Sequence, residues 1–239
     1  METATKTVNP IIGYVIIALI VAFFIYRKFL KKKPSKGKQK QTNSTPSSQR
    51  QKNTWYGDDR NLISISRFQK VVYDRFVVVD LETTGLDPDH DRIVEVAAVR
   101  VVNSQITEKY HQLVNPGIPM PEEAMKIHHI TDDMLKGQPP IKDVLSPLLD
   151  FIGSDIPAAH NAGFDSRFLK SACQKYHFEA PKEWFDTMRL TVYWPNLPNR
   201  KLESFLKAAG IKNKNAHRSL DDAVATAELI IKSFDKVKK

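Results

Sequence analysis

The most constraining feature of the sequence is an apolar run that ends in two acids, Phe76-Val-Val-Val-Asp80-Leu-Glu82. Its β-prone residues predict a buried strand, and Gly85 predicts a turn after it. Because side chains alternate along a strand, Asp80 and Glu82 project from the same face. Two adjacent carboxylates at the end of a buried strand repel each other unless a positive charge lies between them. A divalent metal would supply that charge, and solvated acids at a strand end are an equal alternative from this stretch alone.

The length of 239 residues and the apolar content of 41% fit one ordinary domain with extensions. The single cysteine, Cys173, excludes an internal disulfide. Four segments are expected: a short N-terminal tail (1–9), a transmembrane helix (10–30), a basic disordered linker (31–60) and a globular domain (61–239).

The transmembrane prediction rests on an uncharged run near the N-terminus. Residues 11–26 carry no charge, and residues 8–10 extend the run to 19 residues, close to the ~20 that a helix needs to span a bilayer. Lysines and arginines follow in residues 27–33, whereas only Glu2 and Lys6 lie upstream. We therefore expect a single-pass membrane protein with its globular domain in the cytoplasm. A cleaved signal peptide is less favoured, because its positive charge would precede a shorter apolar stretch.

The segment after this run is polar and basic. Residues 34–54 are rich in Lys, Gln, Ser, Thr, Asn and Pro and show no apolar periodicity, which predicts a flexible linker. Residues 1–56 hold eleven lysines and arginines against Glu2 alone, so the net charge of +9 belongs to this tether. A basic cluster just inside a membrane favours binding to anionic lipid headgroups over binding to nucleic acid.

The globular domain reads as a mixture of strands and helices. Two β-prone runs, residues 92–102 and 105–114, should pair as a hairpin across Asn103 and Ser104. A third run, residues 156–160, predicts a short strand before a helix that carries Phe164 and Phe168. Further helices are predicted over residues 121–126, 131–136, 141–152, 183–193 and 201–209, and from about Leu220 to Phe234.

Two further acids are candidate site residues, and each has a structural alternative. Asp165 begins a predicted helix, where an acid usually serves the helix dipole or caps free amides. Asp222 follows Ser219 by three residues, which matches a capping signature. Helical phase does not separate Asp222 from Asp221, since both lie off the apolar stripe.

The remaining polar candidates carry weaker signals. The adjacent His128 and His129 are expected in a surface or turn position, the commoner use of paired histidines, rather than at a metal site. Asp186 is a candidate for supporting the site from behind, and no local feature decides it. His217 lies in the loop before the last helix.

The order of the motifs is more specific than any one of them. The motifs are Asp80-x-Glu82, His160-Asn-Ala-Gly-Phe-Asp165 and His217-Arg-Ser-Leu-Asp-Asp222-Ala. Together they closely resemble the DnaQ-like family of 3′–5′ exonucleases, in the branch called DEDDh, over residues 76–234. The resemblance implies an α/β, ribonuclease H-like fold: a mixed five-strand sheet flanked by helices, with the second strand antiparallel to its neighbours.

The resemblance also implies roles for individual residues. The implied ligands of two Mg²⁺ or Mn²⁺ ions are Asp80, Glu82, Asp165 and Asp222, in preference to Asp221. His217 is then the general base, and Thr83 and Leu86 lie along the 3′-terminal nucleotide, with the leucine against its base. The implied substrate is a single-stranded or frayed 3′ end of DNA or RNA.

Phosphodiester hydrolysis requires these residue types. Two metals about 3.5–4 Å apart stabilise charge on both the attacking and the leaving oxygen. Because hard cations take oxygen ligands, four carboxylates are a sensible number for two magnesium ions. A histidine that titrates near neutrality can take the proton of the attacking water.

Two other functions stay open from the sequence. One is a membrane-tethered protein that binds nucleic-acid ends without cutting, although four acids and a histidine argue against lost catalysis. The other is a membrane adaptor in which the basic tether is the working part. A dedicated replicative proofreader is not expected, because such a family member would carry a C-terminal extension for its polymerase, and the chain stops at Lys239.

Overall fold

The computed structural model describes residues 61–237. The predicted N-terminal tail (1–9), transmembrane helix (10–30) and linker (31–60) lie outside the described residues. Within residues 61–237, no helix is both long and apolar enough to cross a bilayer.

The predicted strand that ends in two acids is β1, Arg75–Thr83, the central strand of a five-stranded sheet. On one side it pairs antiparallel with β2 (Ile93–Val102), which pairs antiparallel with β3 (Gln105–Leu113). On the other side it runs parallel to β4 (Pro157–Ala159), which runs parallel to β5 (Phe185–Asp186). The strand order is β3-β2-β1-β4-β5, and the two pairings of β2 confirm that it is antiparallel to both of its neighbours.

The predicted β2–β3 hairpin is confirmed. Its turn residues, Asn103 and Ser104, have positive φ angles of 50° and 61°. Two consecutive left-handed residues give a two-residue turn whose twist matches that of the flanking strands. The hairpin therefore follows from the local sequence.

Most of the predicted helices are also confirmed, to within a few residues at their ends. A short helix, α1 (Ile65–Phe68), precedes β1. The later helices are α2 (Glu122–His128), α3 (Asp132–Leu135), α4 (Ile141–Ile152), α5 (Ala162–Tyr176), α6 (Leu202–Ala209) and α7 (Ser219–Asp235).

The predicted helix over residues 183–193 is wrong at its start. Phe185 and Asp186 extend the sheet as β5, and only Thr187–Val192 is helical, as a 3-10 helix. The Asp186 carboxylate accepts a hydrogen bond from the Met188 amide at 2.9 Å, which begins the 3-10 turn. The consecutive residues Trp184 and Phe185 are buried in opposite core layers, which suits a short strand covered on both faces, and a run this short does not distinguish strand from helix by its periodicity.

Alternation along β1 divides the core into two layers. Val78 packs in the layer that contains the apolar face of α7, whereas Val79 packs in the layer of α4 and α5. By the same alternation, Asp80 and Glu82 lie on the α7 side of the sheet. The fold thus brings the acids of β1 to the helix that carries the Asp222 candidate.

Candidate active site

Three of the predicted ligands meet where the end of β1 approaches the first turn of α7. Asp80, Glu82 and Asp222 each offer a carboxylate oxygen, and these atoms lie within 4.8 Å of one another. The common face predicted for Asp80 and Glu82 accounts for their meeting. Asp222 joins them because α7 packs its apolar stripe against the same side of β1.

Asp165 approaches from the other core layer, in the first turn of α5. It is buried, with 3% of its surface exposed, and its Oδ1 accepts a hydrogen bond from the Leu81 amide at 3.1 Å. Leu81 lies between Asp80 and Glu82 in β1. This hydrogen bond holds the Asp165 carboxylate at the end of β1, so Asp165 is not only a capping or helix-dipole residue of α5.

Burial raises the pKa values of all four acids, and repulsion within the set adds to this effect at Asp80 and Glu82. Burial raises the pKa of Asp80 well above its ordinary value, and repulsion from Asp165, Glu82 and Asp222 adds to the effect. Burial, followed by the charge of Asp222, raises the pKa of Glu82 to about 8. Burial also raises the pKa values of Asp165 and Asp222. Such a cluster is a place where positive charge would bind favourably.

Asp222 is held in place by the loop before α7. Its Oδ2 accepts a hydrogen bond from the His217 amide at 3.2 Å, and its Oδ1 accepts one from the Asn213 side chain. His217 is exposed and left-handed, with φ 64°. Its backbone therefore lies beside the cluster, and its amide hydrogen bond partly offsets the rise that burial causes in the pKa of Asp222.

The capping signature at Ser219 does not form a cap. Arg218 is the N-cap of α7 and makes no side-chain capping bond, and the buried hydroxyl of Ser219 has no hydrogen-bond partner among the described residues. Asp221 instead accepts a hydrogen bond from Asn215 at 3.1 Å. Of the two adjacent acids, the structure brings Asp222 and not Asp221 into the cluster.

The paired histidines differ from the sequence expectation. His128 is buried, with 2% of its surface exposed, so its predicted surface position is wrong. It lies at the end of α2, where its Nδ1 accepts a hydrogen bond from the Ile130 amide at 3.1 Å. Burial lowers the pKa of His128. His129 is exposed, as predicted, and is the left-handed C-cap of α2, with φ 59°.

Two polar residues make hydrogen bonds around the start of α5. Asp186 is buried and accepts a hydrogen bond from the Asn161 amide at 3.1 Å, just before α5 begins. Its charge adds to the effect of burial in raising the pKa of Asp165. His160 uses both ring nitrogens, each at 2.8 Å, to contact the Thr187 hydroxyl and the Arg200 carbonyl oxygen.

The turn after β1 presents the predicted substrate contacts. Thr83 is buried and its hydroxyl donates to the Gly85 carbonyl oxygen at 2.6 Å. Leu86 is 66% exposed, unusual for a large apolar side chain in this domain. The turn is therefore held by a hydrogen bond at its start and exposes an apolar side chain.

Sequence reasoning missed one charged residue at the site. Glu95 lies in β2 directly opposite Glu82 and is fully buried. It forms an ion pair with Arg218, the residue after His217, at 2.6 Å. An acid inside the otherwise apolar run Ile93-Val-Glu-Val-Ala-Ala-Val is the only local signal that could have identified it.

A model of the RNase T exonuclease family matches residues 77–230 of the chain. The chain belongs to this exonuclease family. The matched domain is an exonuclease domain, and hydrolysis of phosphodiester bonds is the chemistry of that family.

The exonuclease is similar to part of the PolC-type DNA polymerase III of several bacteria. It is 34% identical over 186 residues to that of Clostridium perfringens, covering 77% of this chain and 13% of the relative. It is 40% identical over 157 residues to that of Halalkalibacterium halodurans, covering 65% of this chain and 11% of the relative. The chain thus spans only about an eighth of the length of these relatives.

Solved structures share the fold. Exonuclease X in complex with 5′ overhanging duplex DNA matches with a TM-score of 0.57 and 32% identity, covering 69% of this chain and 93% of that one. The nuclease domain of 3′hExo, a DEDDh family member bound to rAMP, matches with a TM-score of 0.60 and 21% identity over the same shares. The mixed five-stranded sheet of the exonuclease is therefore ribonuclease H-like, as the resemblance implies.

Proposed function

We propose that the exonuclease removes nucleotides from the 3′ end of single-stranded or frayed DNA or RNA by a two-metal mechanism. The observation that carries the proposal is the cluster of the half-buried acids Asp80, Glu82 and Asp222, which have raised pKa values, together with the buried Asp165 bonded to the Leu81 amide between the two acids of β1. The proposed ligands of two Mg²⁺ or Mn²⁺ ions are Asp80, Glu82, Asp165 and Asp222.

The donor set fits hard divalent cations. Every proposed ligand is a carboxylate, and Mg²⁺ and Mn²⁺ prefer oxygen ligands. Burial and acidic neighbours raise the pKa of Glu82 to about 8. Bound cations would offset the repulsion between the carboxylates and so favour the ionised form of Glu82. When bound, the two ions would stabilise charge on the attacking and leaving oxygens of the phosphodiester.

His217 is proposed as the general base. Its exposure leaves the ring open to solvent and substrate, while its amide is hydrogen-bonded to Asp222. An imidazole in this position can accept the proton that the attacking water loses. The hydrogen bond from the His217 amide thus holds the proposed proton acceptor beside the proposed metal ligand Asp222.

Thr83 and Leu86 are proposed to contact the 3′-terminal nucleotide. The exposed Leu86 side chain offers an apolar surface for a base, and the Thr83 hydroxyl braces the turn that carries it. The bound DNA in the exonuclease X structure and the rAMP in the 3′hExo structure support a nucleic-acid substrate.

We also propose that residues 10–30 anchor the enzyme in a membrane, with the basic residues of 31–60 against anionic headgroups and the nuclease domain in the cytoplasm. The uncharged run of residues 8–26 and the lysines and arginines that follow support this. Substrates would then be nucleic-acid ends near that membrane.

His217→Ala tests the reaction mechanism. Because the change removes a base and no metal ligand, we expect turnover to fall by about 10²–10⁴-fold, while the Mg²⁺-induced rise in melting temperature persists. His177→Ala is the matched control, since His177 is also exposed and left-handed, with φ 62°. A wild-type rate for His217→Ala on a labelled oligonucleotide would remove His217 from the mechanism.

A further inference from the structure

Glu95 is a buried carboxylate that has no role in the reaction proposed above. It lies opposite Glu82 in the β1–β2 register, and its side chain is 0% exposed. Its neighbours Val94 and Val96 are buried apolar residues. Removing a buried charge from water is costly, and a well-packed apolar residue often serves stability equally well at such a place. The reason for an acid here is therefore to be found in the groups that it binds.

Both oxygens of Glu95 bind the segment that follows His217. Arg218 donates to Oε1 from Nη2 at 2.6 Å and from Nε at 3.1 Å. The Ser219 amide donates to Oε2 at 2.8 Å, and His111 Nε2 lies 2.8 Å from Oε1. Burial alone would raise the pKa of Glu95, but these partners together lower it to about 2. Glu95 is therefore ionised at neutral pH, and its hydrogen bonds are charge-assisted.

The two residues that Glu95 binds fix the start of α7. Arg218 is the N-cap and Ser219 is the first helical residue. His217 is the next residue upstream, in a left-handed conformation that few non-glycine residues adopt. Its amide is bonded to Asp222. The His217 backbone is thus held between Asp222 on one side and the residues anchored by Glu95 on the other.

We propose that Glu95 is a positioning residue for hydrolysis: it anchors Arg218 and Ser219 so that the His217 ring is held where it can accept the proton of the attacking water. This inference rests on the proposed role of His217 as the base. Glu95 itself is placed to contact Arg218, Ser219 and His111 rather than substrate. A displacement of about 1 Å at a reacting group can cost on the order of 100-fold in rate, so an anchor of this kind matters for turnover.

Glu95→Gln in the full-length chain is the first test. The amide removes the charge that holds Arg218 and places a second donor beside its guanidinium. We expect kcat on a labelled single-stranded oligonucleotide to fall by on the order of 100-fold, with KM and the Mg²⁺-induced rise in melting temperature near wild-type values. Glu108→Gln is the matched control, because Glu108 is an exposed acid of the same sheet that pairs with Arg100 at 3.2 Å. Its rate should be that of the wild type.

A double-mutant cycle with His217→Ala separates positioning from general destabilisation. If Glu95 acts through His217, the double variant should be as slow as His217→Ala alone, within about a factor of two. A role in stability alone would leave the rate of the folded protein unchanged in both backgrounds, and an effect on the site that is independent of His217 would lower the rate by the same factor in both. Single-turnover rates with excess enzyme, measured well below the melting temperature of each variant, give the four values of the cycle.

A second variant covers the case in which Glu95→Gln does not fold. Arg218→Lys keeps the positive charge but loses the two-pronged contact with Glu95, and Ser219 and His111 still bind the carboxylate. We expect the same loss of kcat and the same absence of a further loss in the His217→Ala background.

The outcomes distinguish this inference from the proposed function. A slow His217→Ala variant together with full-rate Glu95→Gln and Arg218→Lys variants would overturn the positioning role alone. Losses that multiply in the double variants would also overturn it alone. A fully active His217→Ala variant would overturn both the proposed base and its anchor.

Discussion

Asp222 gives the sharpest prediction for a single residue. Asp222→Asn removes one of the charges crowded against Asp80 and Glu82 but keeps an oxygen that can accept the His217 amide. Because repulsion is relieved, the free energy of unfolding of the metal-free protein should hold or rise. Activity should be lost. Most of the thermal stabilisation that Mg²⁺ or Mn²⁺ gives by binding the folded state should be lost as well. Initial rates and thermal unfolding with and without metal measure these effects.

The neighbouring Asp221 is the control for that experiment. It pairs with Asn215 outside the cluster, so Asp221→Asn should keep the wild-type rate and metal response. An active Asp222→Asn variant that loses the ~0.5–2 kcal/mol typical of a missing helix cap would instead make Asp222 a structural residue. An inactive Asp221→Asn variant beside it would identify the other acid as the ligand.

The pKa of Glu82 predicts how the metal-free protein responds to pH. Because this pKa rises from 4.5 to about 8 on folding, the folded state keeps a proton between these values that the unfolded state has released. The free energy of unfolding should therefore fall as pH rises through this interval. Asp80 and Asp165 act in the same direction. Urea denaturation in chelator measures the slope, which Glu82→Gln should flatten, and a slope of opposite sign would contradict the electrostatic account.

Among the elements, those with strong local patterns were predictable from sequence, and those set by distant contacts were not. The strand Ile93–Val102 and the helix Ile141–Ile152 follow from β-branched runs and helical periodicity. The two-residue strand Phe185–Asp186 does not, because it exists only through pairing with β4. The hydrogen bonds of Glu95 could not be predicted, because its partners Arg218 and Ser219 lie 123 and 124 residues away in the chain. The order of the motifs predicted that acids far apart in the chain share one site, and the structure brings Asp80, Glu82 and Asp222 together.

The turn after β1 gives a prediction for an element. A Cβ on Gly85 would lie 2.5–2.6 Å from the Asp91 carboxylate. That carboxylate accepts hydrogen bonds from the Thr84 hydroxyl at 3.2 Å and the Asp87 amide at 2.9 Å. Gly85→Ala should displace it and cost about 1–3 kcal/mol through the two lost bonds. The KM for nucleic acid should also rise, because Leu86 moves with the turn.

An Asp91→Ala background is the control for the turn. With the carboxylate removed, the added methyl group meets no obstacle there, so Gly85→Ala should cost little beyond Asp91→Ala alone. Urea denaturation of the four proteins gives the comparison. An equal cost in both backgrounds would show that the contact with Asp91 does not set the preference for glycine.

For the whole molecule, the proposed division of labour between tether and nuclease domain is directly testable. Removing residues 1–60 should abolish sedimentation with vesicles that contain anionic lipid, while the rate on a free oligonucleotide stays near that of the full chain. Circular dichroism of both proteins controls for folding. Vesicle binding by the shortened protein, or its absence in the full chain, would refute the proposed anchor.

The central claim is that the carboxylate cluster removes nucleotides from a free 3′ end. Its most direct measurement is a time course on a 5′-labelled single strand, run with full-length enzyme and Mg²⁺ beside a 3′-phosphorylated strand and a circular strand. Asp80→Asn excludes a contaminating nuclease. We predict a ladder that shortens from the 3′ end with release of mononucleotides, resistance of the circle and the blocked strand, and no activity in chelator or in Asp80→Asn. Equal cleavage of the circle, or full activity of Asp80→Asn, would contradict the account.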